Sequence, residues 1–213
     1  MSYPDYSRAE RMADAIVHVA GITLALAGTV ALFGLSGLPL DGGQLMAVGV
    51  YAAALVLMLT VSGLYHMTAH TPARPILRRL DHAAIYVKIA GTFTPLGVML
   101  GTVFGYVIIG VVWLLALLGA VTKLMTRPGG MTTGWLPYMA LGWAGVLLFI
   151  PLWAVLPGAS LALILAGGLT YSAGIVFYCW DSLKFANAIW HMFTLVASAF
   201  FFFAIVNGLA GTA

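Results

Sequence analysis

Several residues in this 213-residue chain have the types and spacing to do chemistry together. Ser62 and His66 stand four apart, as do Asp14 and His18, and Asn187 and His191, while Asp81 and His82 are adjacent. Residues four apart lie on one face of a helix. Neutral imidazole is a good zinc ligand, and a carboxylate either binds the ion or holds its water. Zinc with an open coordination position lowers the pKa of its water to about 7, which makes a hydroxide nucleophile at neutral pH. By residue type, His66, His191 and Asp81 are candidate ligands or partners of ligands. Ser62 is a candidate donor to a ligand or to a polarised substrate carbonyl.

Each residue also has a plainer reading. Asp81 would serve as a helix N-cap at the positive end of the dipole. His82 would sit at the membrane interface and His70 in a loop. Asp14 and His18 read best as a structural pair that ties the first segment to the bundle. Lys88 is costly two turns inside an apolar segment, and such residues face a partner or a wet cavity. It lies seven residues after Asp81, so it would pair with that carboxylate or snorkel toward the nearer membrane face. Thr92, Thr94 and Pro95 are expected to shape and kink their helix.

The elements that position these groups follow from composition. Hydrophobic residues make up 62% of the chain and charged ones 7%, against about a quarter charged in soluble domains. Apolar runs of about 20 residues span a bilayer as helices. Seven such runs are expected, near 15–35, 44–67, 82–100, 106–125, 135–156, 161–180 and 188–209. Arg127-Pro128-Gly129-Gly130 breaks the chain after the fourth, since proline lacks a donor and glycine gives a flexible exit. The reading is an all-α, polytopic seven-helix bundle, with an N-terminal segment over 1–14 and a transmembrane domain over 15–210. No removable signal peptide is expected.

Charge sets the orientation. Arg8 and Arg11 precede the first run, Arg74, Arg78 and Arg79 precede the third, Lys123 and Arg127 end the fourth, and Lys184 precedes the seventh. The alternate connections carry no Lys or Arg, so the N-terminus is expected in the cytoplasm. That places His18, His66, His82 and His191 near one membrane face, with loop residue His70. A formal charge of +3, scattered between apolar runs, excludes a nucleic-acid surface. The single Cys179 excludes an internal disulfide and a cysteine-based zinc site. Small-xxx-small spacings leave the oligomeric state open.

The motifs Ser62-x-x-x-His66, Leu80-Asp81-His82-Ala83-Ala84-Ile85-Tyr86, Ala90-Gly91-Thr92-Phe93-Thr94-Pro95, Tyr171-x-x-Gly174-x-x-Phe177-Tyr178 and Ile189-Trp190-His191 resemble the bacterial haemolysin III proteins. These group with the progestin and adipoQ receptors and, more distantly, the alkaline ceramidases. The likeness runs over nearly the whole chain, including the early Glu10…Ala15-Ile16-x-His18-x-x-Gly21 pattern. It implies a multi-pass protein of the bacterial inner membrane with one zinc near the cytoplasmic face. The implied ligands are His66 and a pair of histidines four apart on the last helix, with Asp81 and Ser62 nearby. This chain departs from that set, because the first of the pair aligns with Asn187, a weak ligand, and a later histidine aligns with Phe201. His18 or His82 would substitute if the bundle brings them close.

Three functions are then in view, with membrane lipids as the partner in each. The first is a role in membrane lipid homeostasis. The second is a zinc-dependent hydrolase of a lipid amide or ester, with Asp81 taking a proton and Ser62 holding the developing oxyanion. The third is a cytolytic pore, disfavoured because no polar stripe crosses the bilayer.

Overall fold

A computed structural model describes residues 6–68, 70–126, 134–180 and 182–212, and among them every regular element is helical. Helix α1 (Arg8–Val30) continues as a π-helical turn over Ala31–Leu35. It is followed by α2 (Gly42–Met67), α3 (Arg74–Leu100), α4 (Val103–Met125), α5 (Leu136–Trp143), α6 (Val146–Leu152), α7 (Gly158–Tyr178) and α8 (Ala186–Thr212). Six of these are long and apolar enough to cross a membrane. The expected break at 127–130, including Arg127, lies outside the described residues, as do residues 1–5 of the N-terminal segment.

The fifth expected segment is two short helices, α5 and α6, which together occupy Leu136–Leu152. At ~1.5 Å per residue that piece spans about 25 Å, slightly short of a bilayer core. Tight i,i+3 bonds from Gly145 to Gly142 and from Leu147 to Ala144 carry the chain across the joint.

Local chemistry starts the helices where the site needs them. Ser7 caps α1 in a reciprocal box with Glu10, whose carboxylate accepts from the Ser7 backbone N–H at 2.9 Å. Asp41 and Gln44 form the same device at the start of α2. Gly101, at φ 65°, ends α3 in the left-handed conformation that glycine adopts without a Cβ clash. α3 runs on through Pro95. In the turn before it the Thr92 and Thr94 hydroxyls donate back to the carbonyls of Lys88 and Ala90. Trp113 of α4 donates to Thr94 at 3.0 Å, so this polar patch is tied between helices.

α3 is the axis of the bundle, with 72% of its membrane-length window buried, against 22–50% for the other long helices. One close contact is at Gly91, where an added Cβ would lie 2.6 Å from the Cβ of Ala54 on α2. Small residues permit such approach in membranes, where packing rather than water exclusion drives helix association. The outer helices turn most of their surface outward. α1 buries Asp14, Val17, His18, Gly21 and Ala25, a single stripe at three- and four-residue intervals. Two of its five members are ionisable, and that stripe faces α2 and α8.

Candidate metal centre

Helix register brings the two buried ionisable residues of α1, Asp14 and His18, against the last turns of α2. Gly63 lies at this contact, where a Cβ would sit 3.3 Å from Ile22 Cδ1 and 3.5 Å from the Cβ of His18. His18 thus lies beside Ser62, with its Nε2 3.2 Å from the serine Oγ. His66, one turn further along α2, and His191, in the second turn of α8, complete the group. The ring centroids of His18 and His191 are 4.3 Å apart, those of His66 and His191 4.5 Å, and those of His18 and His66 5.2 Å. One ligand nitrogen from each of the three lies within 4.8 Å of the others.

Asp14 is the hub behind these rings. Its Oδ1 is 2.7 Å from His191 Nδ1, and its Oδ2 is 3.2 Å from His66 Nδ1 and 2.8 Å from the Asn187 Nδ2 that donates to it. Its backbone carbonyl is 2.8 Å from His18 Nδ1. A carbonyl and a carboxylate only accept, so the short contacts at His18 and His191 place a proton on Nδ1. The lone pair is left on Nε2. His66 has two exclusive arrangements, because Asn187 Nδ2 is also 3.1 Å from its Nδ1. That nitrogen either donates to Asp14 or accepts from Asn187. A ligand bond at Nε2 requires the first, and all three imidazoles then share one tautomer.

The donor set therefore suits a divalent transition ion. Neutral imidazoles from three helices, oriented by a carboxylate and a carbonyl on their far nitrogens, form the arrangement that holds such ions. In a tetrahedral zinc site ligand nitrogens lie about 3.4 Å apart, and the three here lie within 4.8 Å of one another. Three protein ligands leave one position open.

The expected residues fall into two groups. His66, His191 and Ser62 are in the cluster, and Asn187 is at its edge as a donor to Asp14. His18 joins them as a third histidine, beyond the structural pairing read for it. Asp81, half-buried in α3, stands outside the converging ligand atoms. His82 is buried and turned to α5, where its Nδ1 is 3.2 Å from the Tyr138 hydroxyl. Lys88 neither pairs with Asp81 nor snorkels; it reaches Tyr171 of α7. The orienting role of Asp14 escaped the sequence reading. Its signal was two polar residues four apart on the one buried stripe of α1.

A cavity of about 250 Å³ opens beside the centre, lined by Asp14, His66, Asn187, Glu10, Arg11 and His70. Its rim joins the start of α1 to the start of α8. Glu10 Oε1 accepts the Phe185 backbone N–H at 3.1 Å, and Phe185 is the one non-glycine with positive φ (63°) among the described residues.

The model of a family described as haemolysin-III related matches residues 6–202. A protein named hemolysin-3 homolog from Bacillus subtilis is 35% identical over 199 residues, covering 92% of this chain and 93% of its own length. Hemolysin-3 from Bacillus cereus is 33% identical over 205 residues, covering 96% and 94%. More distantly, the human monocyte to macrophage differentiation factor is 25% identical over 210 residues, covering 92% of this chain and 83% of its own.

Proposed function

The chain belongs to the haemolysin-III related family, and we propose that it is a zinc-binding cell-membrane protein that serves membrane lipid homeostasis. His18, His66 and His191 would hold the ion, at the cytoplasmic end of the bundle by the placement of the basic residues. The observation that carries this reading is the convergence of three histidines from three helices on one carboxylate. Bound zinc would supply a Lewis acid and, through its water, a nucleophile at neutral pH. Asp14 fixes the imidazole tautomers from behind. With His18 Nε2 given to an ion, the Ser62 hydroxyl, now 3.2 Å from that nitrogen, would be free to donate to a substrate carbonyl. Asp81, half-buried on α3, would take a proton.

A second reading, hydrolysis of a lipid amide or ester, draws on the cavity beside the centre. It is open enough to admit a small headgroup and is lined by groups of both charges. Pore formation has no support from the polar groups: among the described residues the histidine cluster, the Lys88–Tyr171–Ser198 chain and the Ser160–Asn207 pair are separate groups at different depths.

The test is complementation. In cells lacking the gene, lipid composition and membrane fluidity should be altered and restored by the wild-type chain. A folded His66→Ala variant should fail to restore them. Full rescue by that variant would remove the metal centre from the function, and a deletion without effect on the membrane would remove the homeostasis role.

A further inference from the structure

Lys88 lies midway along α3 and is 4% exposed. Its Nζ donates to the Tyr171 hydroxyl on α7 and stands 4.4 Å from that ring and 5.5 Å from the ring of Phe201 on α8. The Tyr171 hydroxyl is 2.9 Å from Ser198 Oγ, which donates to the Thr194 carbonyl at 2.7 Å. The hydrogen-bond chain therefore runs one way, from Lys88 through Tyr171 and Ser198 to the backbone of α8. It uses one of the three ammonium hydrogens. Among the described residues no carboxylate pairs with Lys88. A cation at this depth is expensive, and such residues mark a ligand or ion site with a definable partner.

A second buried polar group, on the neighbouring α2, makes no hydrogen bond. Tyr51 of α2 is 1% exposed, and its hydroxyl is fully buried without a hydrogen bond. Its backbone packs on α3 at Gly91, where an added Cβ would be 3.7 Å from the Tyr51 Cα, one turn from Lys88. Tyr171, the residue that accepts from Lys88, contributes to the electrostatic surroundings of the Tyr51 hydroxyl. Buried hydroxyls are normally satisfied, so one that is not calls for an explanation.

We propose that Lys88, with the Tyr51 hydroxyl, forms a carboxylate-binding site where α3 meets the α7–α8 pair, in mid-bundle. Charge selects the class of ligand. A monovalent carboxylate makes the site neutral, a phosphate dianion would leave net negative charge in hydrocarbon, and an ester carbonyl would leave the ammonium uncompensated. Two acceptor oxygens match two donors, the free ammonium hydrogens and the tyrosine O–H. Ser198 is seven residues beyond His191 on α8, about 10 Å further along the helix. The site is therefore separate from the metal centre and does not depend on it.

The experiment uses full-length protein in non-ionic detergent, with carboxyl-13C-labelled decanoate and acetate as probes and decanol as the neutral control. Wild type should give a saturable 13C shift and a ligand-dependent rise in unfolding temperature. Both should persist in His66→Ala, which lacks a metal ligand. Lys88→Met should lose binding at least tenfold, and Tyr51→Phe should weaken it by about tenfold, the worth of a hydrogen bond to a charged group. Binding of decanoate alone identifies an amphiphile from the bilayer, and equal binding of acetate a soluble carboxylate. The proposal fails if wild type binds neither carboxylate, if Lys88→Met binds as well as wild type, or if decanol stabilises as strongly as decanoate. Should Lys88→Met not fold, unchanged binding in Tyr51→Phe and Lys88→Gln would overturn it equally.

Discussion

Asp14→Asn probes the organisation of the metal centre most sharply, since it keeps the side-chain shape and removes one acceptor and the charge. In the wild type one oxygen faces His191 Nδ1 at 2.7 Å, and the other faces the Asn187 amide at 2.8 Å and His66 Nδ1 at 3.2 Å. An asparagine offers one oxygen for those two sides, so its amide must face a donor on the other. At least one charge-assisted bond is lost, worth about 1.5–3 kcal/mol in a partly buried site. Loss of the group that orients a ligating histidine costs about 10- to 100-fold in metal affinity, or roughly 1.4–2.7 kcal/mol. The two estimates agree in size, so Asp14→Asn should weaken zinc binding by one to two orders of magnitude. Competition against a chromophoric chelator measures it in purified protein whose helix content is checked by circular dichroism. A folded Asp14→Asn variant binding zinc within about twofold of wild type would refute the orienting role.

Two further outcomes follow from individual contacts. Ser62→Ala removes the donor to His18 Nε2 at 3.2 Å, so the metal-free protein should lose about 0.5–1.5 kcal/mol of stability. Its zinc affinity should not fall, because the hydroxyl competes for the ligand nitrogen; a tenfold weaker affinity would instead make Ser62 part of the ligand shell. Gly91→Ala puts a methyl group 2.6 Å from the Ala54 Cβ, with the Val50 carbonyl at 3.5 Å and no flexible tip to give way. Overpacking of this kind costs about 1–3 kcal/mol, read as a lower unfolding temperature in detergent, and Ala54→Gly in the same chain should recover most of it.

The segments were legible because hydropathy reports depth directly, and basic residues at alternate connections report which ends share a side. The fifth segment was legible only as an apolar run. Its division at Ala144 and Gly145 depends on close packing, where a Cβ on Gly145 would be 3.2 Å from the Phe93 ring. Spacing put Asp14 with His18, and Ser62 with His66, on common helix faces, but spacing does not say what a face meets. The stripe on α1 could have met lipid headgroups, and it meets α2 and α8 instead. The resemblance directed attention to position 187, where a histidine was expected. The amide found there binds Asp14, and the third imidazole comes from α1. Lys88 shows the same limit, because its partner lies 83 residues away on α7, outside any local pattern.

Elemental analysis of detergent-purified protein supplied with zinc tests the central claim most directly, in wild type and in His18→Ala, His66→Ala and His191→Ala. The account predicts about one zinc per chain, lost in His66→Ala and His191→Ala and sharply reduced in His18→Ala. Folded wild-type protein that takes up no zinc, or zinc retained in all three variants, would contradict it.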